Sequence, residues 1–420
     1  MATPLSIPSF EEFQRRRPGV WPPPIRWRRW SPQPAAPKDL LADTPAAWRE
    51  DRRLLHDKCV VVMGLGAVGS VCFEQLARLG VGRLYGLDPD RYGAESWLTQ
   101  PASKTDQGRL KAHVQGRRAA LANPATHVAT SVAFAQDAPL AVLRQADVIV
   151  LAGDNLELLV WAGEYAAGLG KVVVQGAVHG ATQQAIVRGF DLSNPNAVCP
   201  TCLLAEDDWN RMTSRLGCDP ATVRLQGLEP TQTLPHVCAL AGQMAAGEVL
   251  QWLLGRTDLA LSGAEVQYNL PTHRVLRTAY SRKATCRAPH RQWRISDAPQ
   301  PWRTTTLADL TNALRAPHKR VSPGNAPTWQ VRAEIPWITR ASCWPCGKVQ
   351  AVRRFSRLGR KVGRCGCGGP LWADLEGRRS MIPPADLEAV WRQPLARLGL
   401  QAGQSVALCH EDDMAWFILS

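Results

Sequence analysis

A short apolar strand that breaks into a glycine-spaced turn constrains this chain more than any other stretch. Lys58 to Met63 (KCVVVM) is β-branched, apolar and ended by glycine, as a strand buried on both faces should be. It runs into Gly64-Leu-Gly66-Ala-Val-Gly69-Ser70, and an amphipathic helix follows from Ser70 to Leu79. Further strands read at Arg83–Leu87, Val128–Phe134, Asp147–Ala152 and Lys171–Gln175. Helices read between them at Gly108–Leu121, Pro139–Gln145 and Leu156–Leu169. This alternation predicts an α/β fold: a doubly wound, mostly parallel, Rossmann-like sheet. Gln183–Phe190 reads as an antiparallel strand, Thr233–Leu254 as a long helix and Glu265–Tyr280 as a two-strand ending.

The turn places free backbone N–H groups and a helix N-terminus beside an anion. Gly64 makes the turn, Gly66 lets backbone approach a phosphate, and Gly69 packs helix on strand. Ser70 and the acids Asp88 and Asp90, at the end of the next strand, complete the candidate nucleotide contacts. Asp88 suits ribose hydroxyls, for a dinucleotide as well as for ATP. Lys111, opening a later helix, separates the two. A hydride carrier's phosphates are spectators, whereas attack on a phosphoanhydride builds charge that a lysine stabilises. Spacing alone favours a solvated helix lysine at Lys111. Asp154-Asn155 ends the strand ADVIVLAGD at the sheet edge where ligands bind. A carboxylate beside triphosphate is repelled unless it carries Mg²⁺, although Asp154 also suits a helix N-cap.

The twelve cysteines of a chain with no basic-then-apolar leader point to metal or thiol chemistry rather than disulfides, and to a cytoplasmic location. Cys199-x₂-Cys202 with Cys286-x₃-His290 makes a closed tetrahedral Zn²⁺ set. Cys343-x₂-Cys346 with Cys365-x-Cys367 makes a second, whose glycines permit the turns of a zinc ribbon. The 18 residues between those pairs fit a β-hairpin. Incidental cysteines are the competing reading. Cys59, Cys72 and Cys409 read as core.

Residues 1–45 are rich in Pro, Arg and Trp and read as an extended arm, part of which packs on the body; a helix follows at Pro45–Leu55. A 46–290 nucleotide domain, a 291–304 linker and a 305–420 C-terminal domain follow. The last holds a helix at Leu307–Leu314, a strand pattern at Trp329–Ile338 and a closing hairpin. Hydrophobic content of 45% and mean hydropathy of −0.20 suit a globular chain, and Gln243, Glu248 and Gln251 exclude Val237–Gly255 as a membrane span. The net charge of +14 falls wholly in residues 271–420, with 24 Lys/Arg against 10 Asp/Glu. Such a tail attracts an acidic partner, protein or nucleic acid, or is a solvated face.

From about Arg49 to His290 the chain resembles the ThiF/MoeB/HesA superfamily of ubiquitin-activating-enzyme-like adenylyltransferases. The matching text is KCVVVMGLGAVGS…LYGLDPD, GRLKA, Asn123-Pro124, DVIVLAGDN, KVVVQGA, the CPTC pair and the helix after it. The resemblance implies that Asp88 holds the ATP ribose, Lys111 the phosphates and Asp154 the Mg²⁺. It implies adenylation of a C-terminal glycine carboxylate on a ubiquitin-like or sulfur-carrier protein. A homodimer is implied too, with an N-terminal arginine (Arg49, Arg52 or Arg53) lent across the interface. Where the family carries Ser-Asn-Leu-x-Arg-Gln, this chain has Glu95-Ser-Trp-Leu-Thr-Gln100, so Thr99 stands in place of an arginine. Related enzymes carry a reactive cysteine between the CPTC pair and the long helix. Cys218 in that polar interval is the candidate, with Cys238 second, for a thioester passed to a downstream conjugating enzyme. A degenerate adenylation fold that only binds a protein or nucleic acid is the alternative, and an NAD dehydrogenase a third.

Overall fold

A computed structural model describes residues 27–30, 46–153, 156–212, 234–315, 329–357, 360–374, 376–410 and 413–420. Two compact units emerge. One extends to Ala138 and resumes over Gln145–Gln292; the other joins Pro139–Arg144 to Trp293–Ser420.

The first unit is built on a sheet of nine strands among the described residues, ordered β1-β4-β3-β2-β5-β6-β7-β8-β9. Its strands are β1 (Arg28–Trp30), β2 (Cys59–Met63), β3 (Arg83–Leu87), β4 (His127–Ser131), β5 (Val148–Leu151), β6 (Val172–His179), β7 (Gln184–Asp191), β8 (Ala264–Asn269) and β9 (Arg274–Ala279). The middle five are parallel. β2 is buried at every residue, so each face must be covered by helix. Helices α1 (Ala46–Leu55), α2 (Gly69–Leu79), α3 (Ser96–Thr99), α4 (Lys111–Ala122), α5 (Leu140–Leu143), α6 (Leu156–Gly168), α7 (Glu206–Met212) and α8 (Pro235–Leu253) follow in chain order; α5 belongs to the second unit. The apolar helix α8 is buried against α2, and a side chain at Gly242 would strike Val68 and Val71. Among the described residues no helix is long and apolar enough to cross a membrane.

β7 is antiparallel to β6, and β8 and β9 form a hairpin beyond it, as the sequence pattern predicts. Two departures have physical causes. The helix expected from Gly108 starts at Lys111, because Gly108 has φ +78° and Leu110 bridges Arg91. β6 runs on to His179, because β7 pairs with its whole length. As expected, part of the arm packs on the body: Arg28–Trp30 adds to the sheet edge as β1, with Trp30 Nε1 donating to Thr130 Oγ1 at 3.1 Å.

The second unit holds two sheets. β10 (Arg294–Asp297), β11 (Gln330–Ala333), β17 (Ser405–His410) and β18 (Asp413–Ile418) form one, over a core with helices α9 (Leu307–Arg315) and α10 (Pro384–Val390). β12 (Trp337–Cys343), β13 (Val349–Phe355), β14 (Lys361–Arg364), β15 (Pro370–Ala373) and β16 (Arg378–Arg379) form the other. The segment read as linker thus contains β10, which pairs in parallel with β18. The single strand expected over Trp329–Ile338 divides at Pro336, which has no N–H to give a ladder, and its halves enter different sheets. The expected hairpin between the ligand pairs is not one hairpin either: β13 and β14 sit at opposite edges, separated by β12 and β15.

Candidate functional site

The glycine turn lies where strand order reverses, between β3 on one side of β2 and β5 on the other. Gly64 leaves β2 with φ +91°, and a side chain there would press on Ala152 and Gly153 at 3.0 Å. A Cβ on Gly69 would collide with the Gly64 carbonyl, so this glycine sets how closely α2 meets the strand. Gly66 is open: a Cβ there would meet only Gln100 Oε1, at 3.8 Å. Ser70 is buried and its hydroxyl donates to the Gly66 carbonyl, bracing the turn from behind.

Asp88 ends β3 and is buried. Its Oδ2 accepts the Leu65 N–H at 2.7 Å and its Oδ1 the Asp90 N–H at 2.8 Å. Burial pushes its carboxyl above the ordinary range, against the opposing pull of Lys111 and the two amides. Lys111 is the first residue of α4, and its backbone N–H donates to the Asp90 carbonyl at 2.9 Å. Its ammonium lies 3.1 Å from Asp90 Oδ2, with the lysine side chain 12% exposed and the aspartate 57%. Burial alone would pull this ammonium down; Asp88 and Asp90 outweigh it and hold its pKa above the usual lysine value. Lys111 is thus paired with Asp90, and the Asp90 N–H is held by Asp88, the carboxylate that also accepts from Leu65 of the glycine turn.

Thr99 closes α3, and Gln100 follows with its Oε1 buried and without a hydrogen-bond partner among the described residues. The sequence reading passed over this amide as a candidate; its signal was the Thr-Gln ending already noted. Asp154, Asn155 and Cys218 lie outside the described residues. Arg52 donates to the Arg78 carbonyl at 3.1 Å and Arg53 pairs with Glu50 at 3.5 Å. Cys238 is buried in the first turn of α8, where burial pushes its thiol up to about 11. Burial likewise raises Cys59 to about 11 and Cys72 to about 12, and both pack in the core.

Both four-ligand sets converge, each with its ligand atoms within 4.8 Å of one another. Cys199 Sγ is 3.8 Å from Cys202 Sγ and 3.8 Å from Cys286 Sγ. His290 Nε2 is 3.5 Å and 3.4 Å from the first two sulfurs. Bond lengths of about 2.3 Å to sulfur and about 2.0 Å to nitrogen at tetrahedral angles demand edges of about 3.8 and 3.6 Å, so the set fits Zn²⁺. Cys199 and Cys202 flank a turn of 3₁₀ helix whose Thr201 donates to the Leu159 carbonyl of α6 and fills the space over Gly163. His290 reaches the set from a left-handed backbone, φ +50°. In the second set, Cys343 ends β12, Cys346 lies in the β12–β13 turn, and Cys365 and Cys367 lie in the β14–β15 turn. Sulfur separations of 3.5 Å (Cys343–Cys367) and 3.6 Å (Cys346–Cys365) fit the same geometry.

Similarity to known proteins agrees with this arrangement. A sulfur carrier protein adenylyltransferase of Thermus thermophilus is 28% identical over 214 residues, which is 50% of this chain and 74% of the relative. Among solved structures, E. coli MccB with ATP is 18% identical with a TM-score of 0.45, covering 57% of this chain and 68% of that one. PaaA is also 18% identical, with a TM-score of 0.42 over 55% of this chain and 75% of its own. The ThiF family model matches residues 42–288, from the helix before β2 to the zinc set, and with well over half the sequence inside that match the chain belongs to the ThiF family.

Proposed function

We propose that the chain joins AMP to the C-terminal carboxylate of a small carrier protein, a ubiquitin-like or sulfur-carrier protein ending in glycine. The observation that carries this reading is Lys111, a protonated side chain secured at the mouth of an open glycine turn by Asp88 and Asp90. A carboxylate is a poor electrophile. Its oxygen attacks the α-phosphorus of ATP, the bond to the β-phosphate bridge breaks, and pyrophosphate leaves with the charge. Lys111 neutralises that charge, the Leu65–Gly69 turn cradles phosphate with backbone N–H groups, and Asp88 holds the ribose. Asp154 is assigned to Mg²⁺, which would supply further charge neutralisation on the phosphates. Zn²⁺ in the Cys199–Cys202–Cys286–His290 set is structural, since four protein ligands leave no open position.

In the same reading Cys218 is the thiol that takes the acyl group for a conjugating enzyme; the buried Cys238 does not suit the role. The active species is a cytoplasmic homodimer to which Arg49, Arg52 or Arg53 contributes across the interface. Residues 46–290 carry the chemistry, and 305–420 serve a partner.

Isotopic pyrophosphate exchange tests the proposal. With a cognate carrier protein bearing a free C-terminal glycine, label should enter ATP, and Lys111→Ala should slow it by about 100-fold or more. Carrier binding without exchange would support the binding-module reading, and tight NAD binding without ATP affinity a dehydrogenase.

A further inference from the structure

The zinc-ribbon sheet presents two unlike faces. Ala341, Cys343, Val362 and Leu371 are buried together on one. The other is fixed by register, because directly opposed residues share a face. Val349, Ser342, Trp372 and Lys361 form one row across the strands, and Pro370 and Arg364 sit side by side next to it. Trp344, from the Cys343–Cys346 turn, stacks on Trp372 with ring centroids 5.3 Å apart and planes 27° from parallel. It is 67% exposed, an indole with one plane open to solvent.

Charge on this face is one-sided. Residues 336–379 contain ten Lys/Arg and two Asp/Glu. Both acids serve Arg340: Asp374 lies 3.4 Å and Glu376 2.6 Å from its guanidinium. Lys361 and Arg364 therefore have no ion-pair partner among the described residues.

We propose that this face binds single-stranded nucleic acid, its bases continuing the Trp372–Trp344 stack and its phosphates meeting Lys361 and Arg364. A near-parallel indole pair with a free plane is extended by another flat π-system. Unpaired cations one strand away lie where a backbone following such a stack would pass. An acidic protein would satisfy the cations but has no use for an open stacking plane. Duplex is disfavoured because its bases are already stacked.

The test uses the full chain with zinc bound and fluorescein-labelled single strands of deoxythymidine or uridine, about 16 nucleotides long. Anisotropy should report binding that weakens steeply with salt. Trp344→Ala should weaken it roughly ten-fold while Trp344→Phe keeps most of it. Lys361→Ala/Arg364→Ala should lower the salt slope by about one to two. Zinc content and pyrophosphate exchange should be unchanged in Trp344→Ala, which shows that the fold is intact. A preference for one sugar names the strand as RNA or DNA. The proposal is overturned if neither strand binds at low salt, if Trp344→Ala binds like the parent chain, or if poly-glutamate or duplex competes as well as single strands do.

Discussion

The two four-ligand sets, each fit for zinc, stand in opposite settings. The Cys199–His290 set sits on the flank of a unit whose main core gathers 24 buried residues. The ribbon set stands over a core of seven, two of which are ligand cysteines. Three of the four ligands are buried in the first set, and two of the four are exposed in the second. The contrast teaches that ligand count says nothing of how much folding rests on metal. The first set fastens a loop to a sheet that is already packed. In the second, the four cysteines close one end of a five-stranded sheet over a small core, while Trp337 and Phe355 fasten the other end in the larger core of the same unit.

The sharpest way to break this contrast is to remove zinc. With zinc binding worth on the order of 10 kcal/mol, chelation should unfold the ligand turns between Cys343 and Leu371 while β2 and its neighbours keep their hydrogen-exchange protection. Simultaneous loss of protection in both regions would erase the distinction. Single substitutions should sort the same way. Cys346→Ser should expose the ribbon to proteolysis with pyrophosphate exchange intact, and Cys199→Ser should lower the melting temperature of the α/β unit.

Buried carboxylates extend the contrast to pH, with opposite signs. In the α/β unit, burial of Glu265 is outweighed by Arg188, which holds its carboxyl below the usual range. Its stabilisation is present above its unfolded pKa and lost as pH falls through the depressed folded value. In the C-terminal unit burial wins instead: the Glu334 Oε1 accepts the Leu140 N–H and the Ser405 hydroxyl, each at 2.6 Å, and Arg357 also pulls against it, yet burial pushes its carboxyl up to about 7 from 4.5. The folded chain binds this proton more tightly than the unfolded one, so stability falls as pH rises from about 4.5 through about 7. The loss amounts to roughly 3 kcal/mol. Glu334→Gln should flatten that slope in melting curves, and an unaltered slope would move its origin elsewhere.

The smallest effect is expected at Arg287–Glu206, an exposed pair at 2.9 Å joining the segment between Cys286 and His290 to α7. Arg287→Ala should change stability by about 0–1 kcal/mol, less in high salt. A larger loss would mean that surface charge, not metal, fastens that segment.

Legibility in the sequence followed the range of the contacts that fix each element. β2 declared itself because every residue from Cys59 to Met63 is apolar and buried, and β3 fell at its expected bounds. The positions of the glycine turn, Asp88 and Lys111 were legible because they follow consecutive strands of one sheet edge. β10 was missed because Arg294–Asp297 shows little apolar pattern of its own and pairs with a strand more than a hundred residues on. The ribbon ligands were found by spacing, but the strand order between them was not, since nothing local states which strand lies in the middle. Nor could a sequence disclose that burial at Glu334 outweighs the pull of Arg357, or that the Gln100 amide oxygen, without a hydrogen-bond partner among the described residues, borders the open side of Gly66.

The Glu334–Leu140 bond also sets a timetable for the nascent chain. Its partners are 194 residues apart, and the segment Pro139–Arg144 belongs to the unit completed last. At ribosomal rates of about 5–20 residues per second, that hexapeptide waits on the order of 10–40 s for its acceptor to be synthesised. For that interval the hexapeptide lacks its eventual anchor, so a ribosome stalled short of residue 334 would carry a Leu140 N–H still waiting for its acceptor.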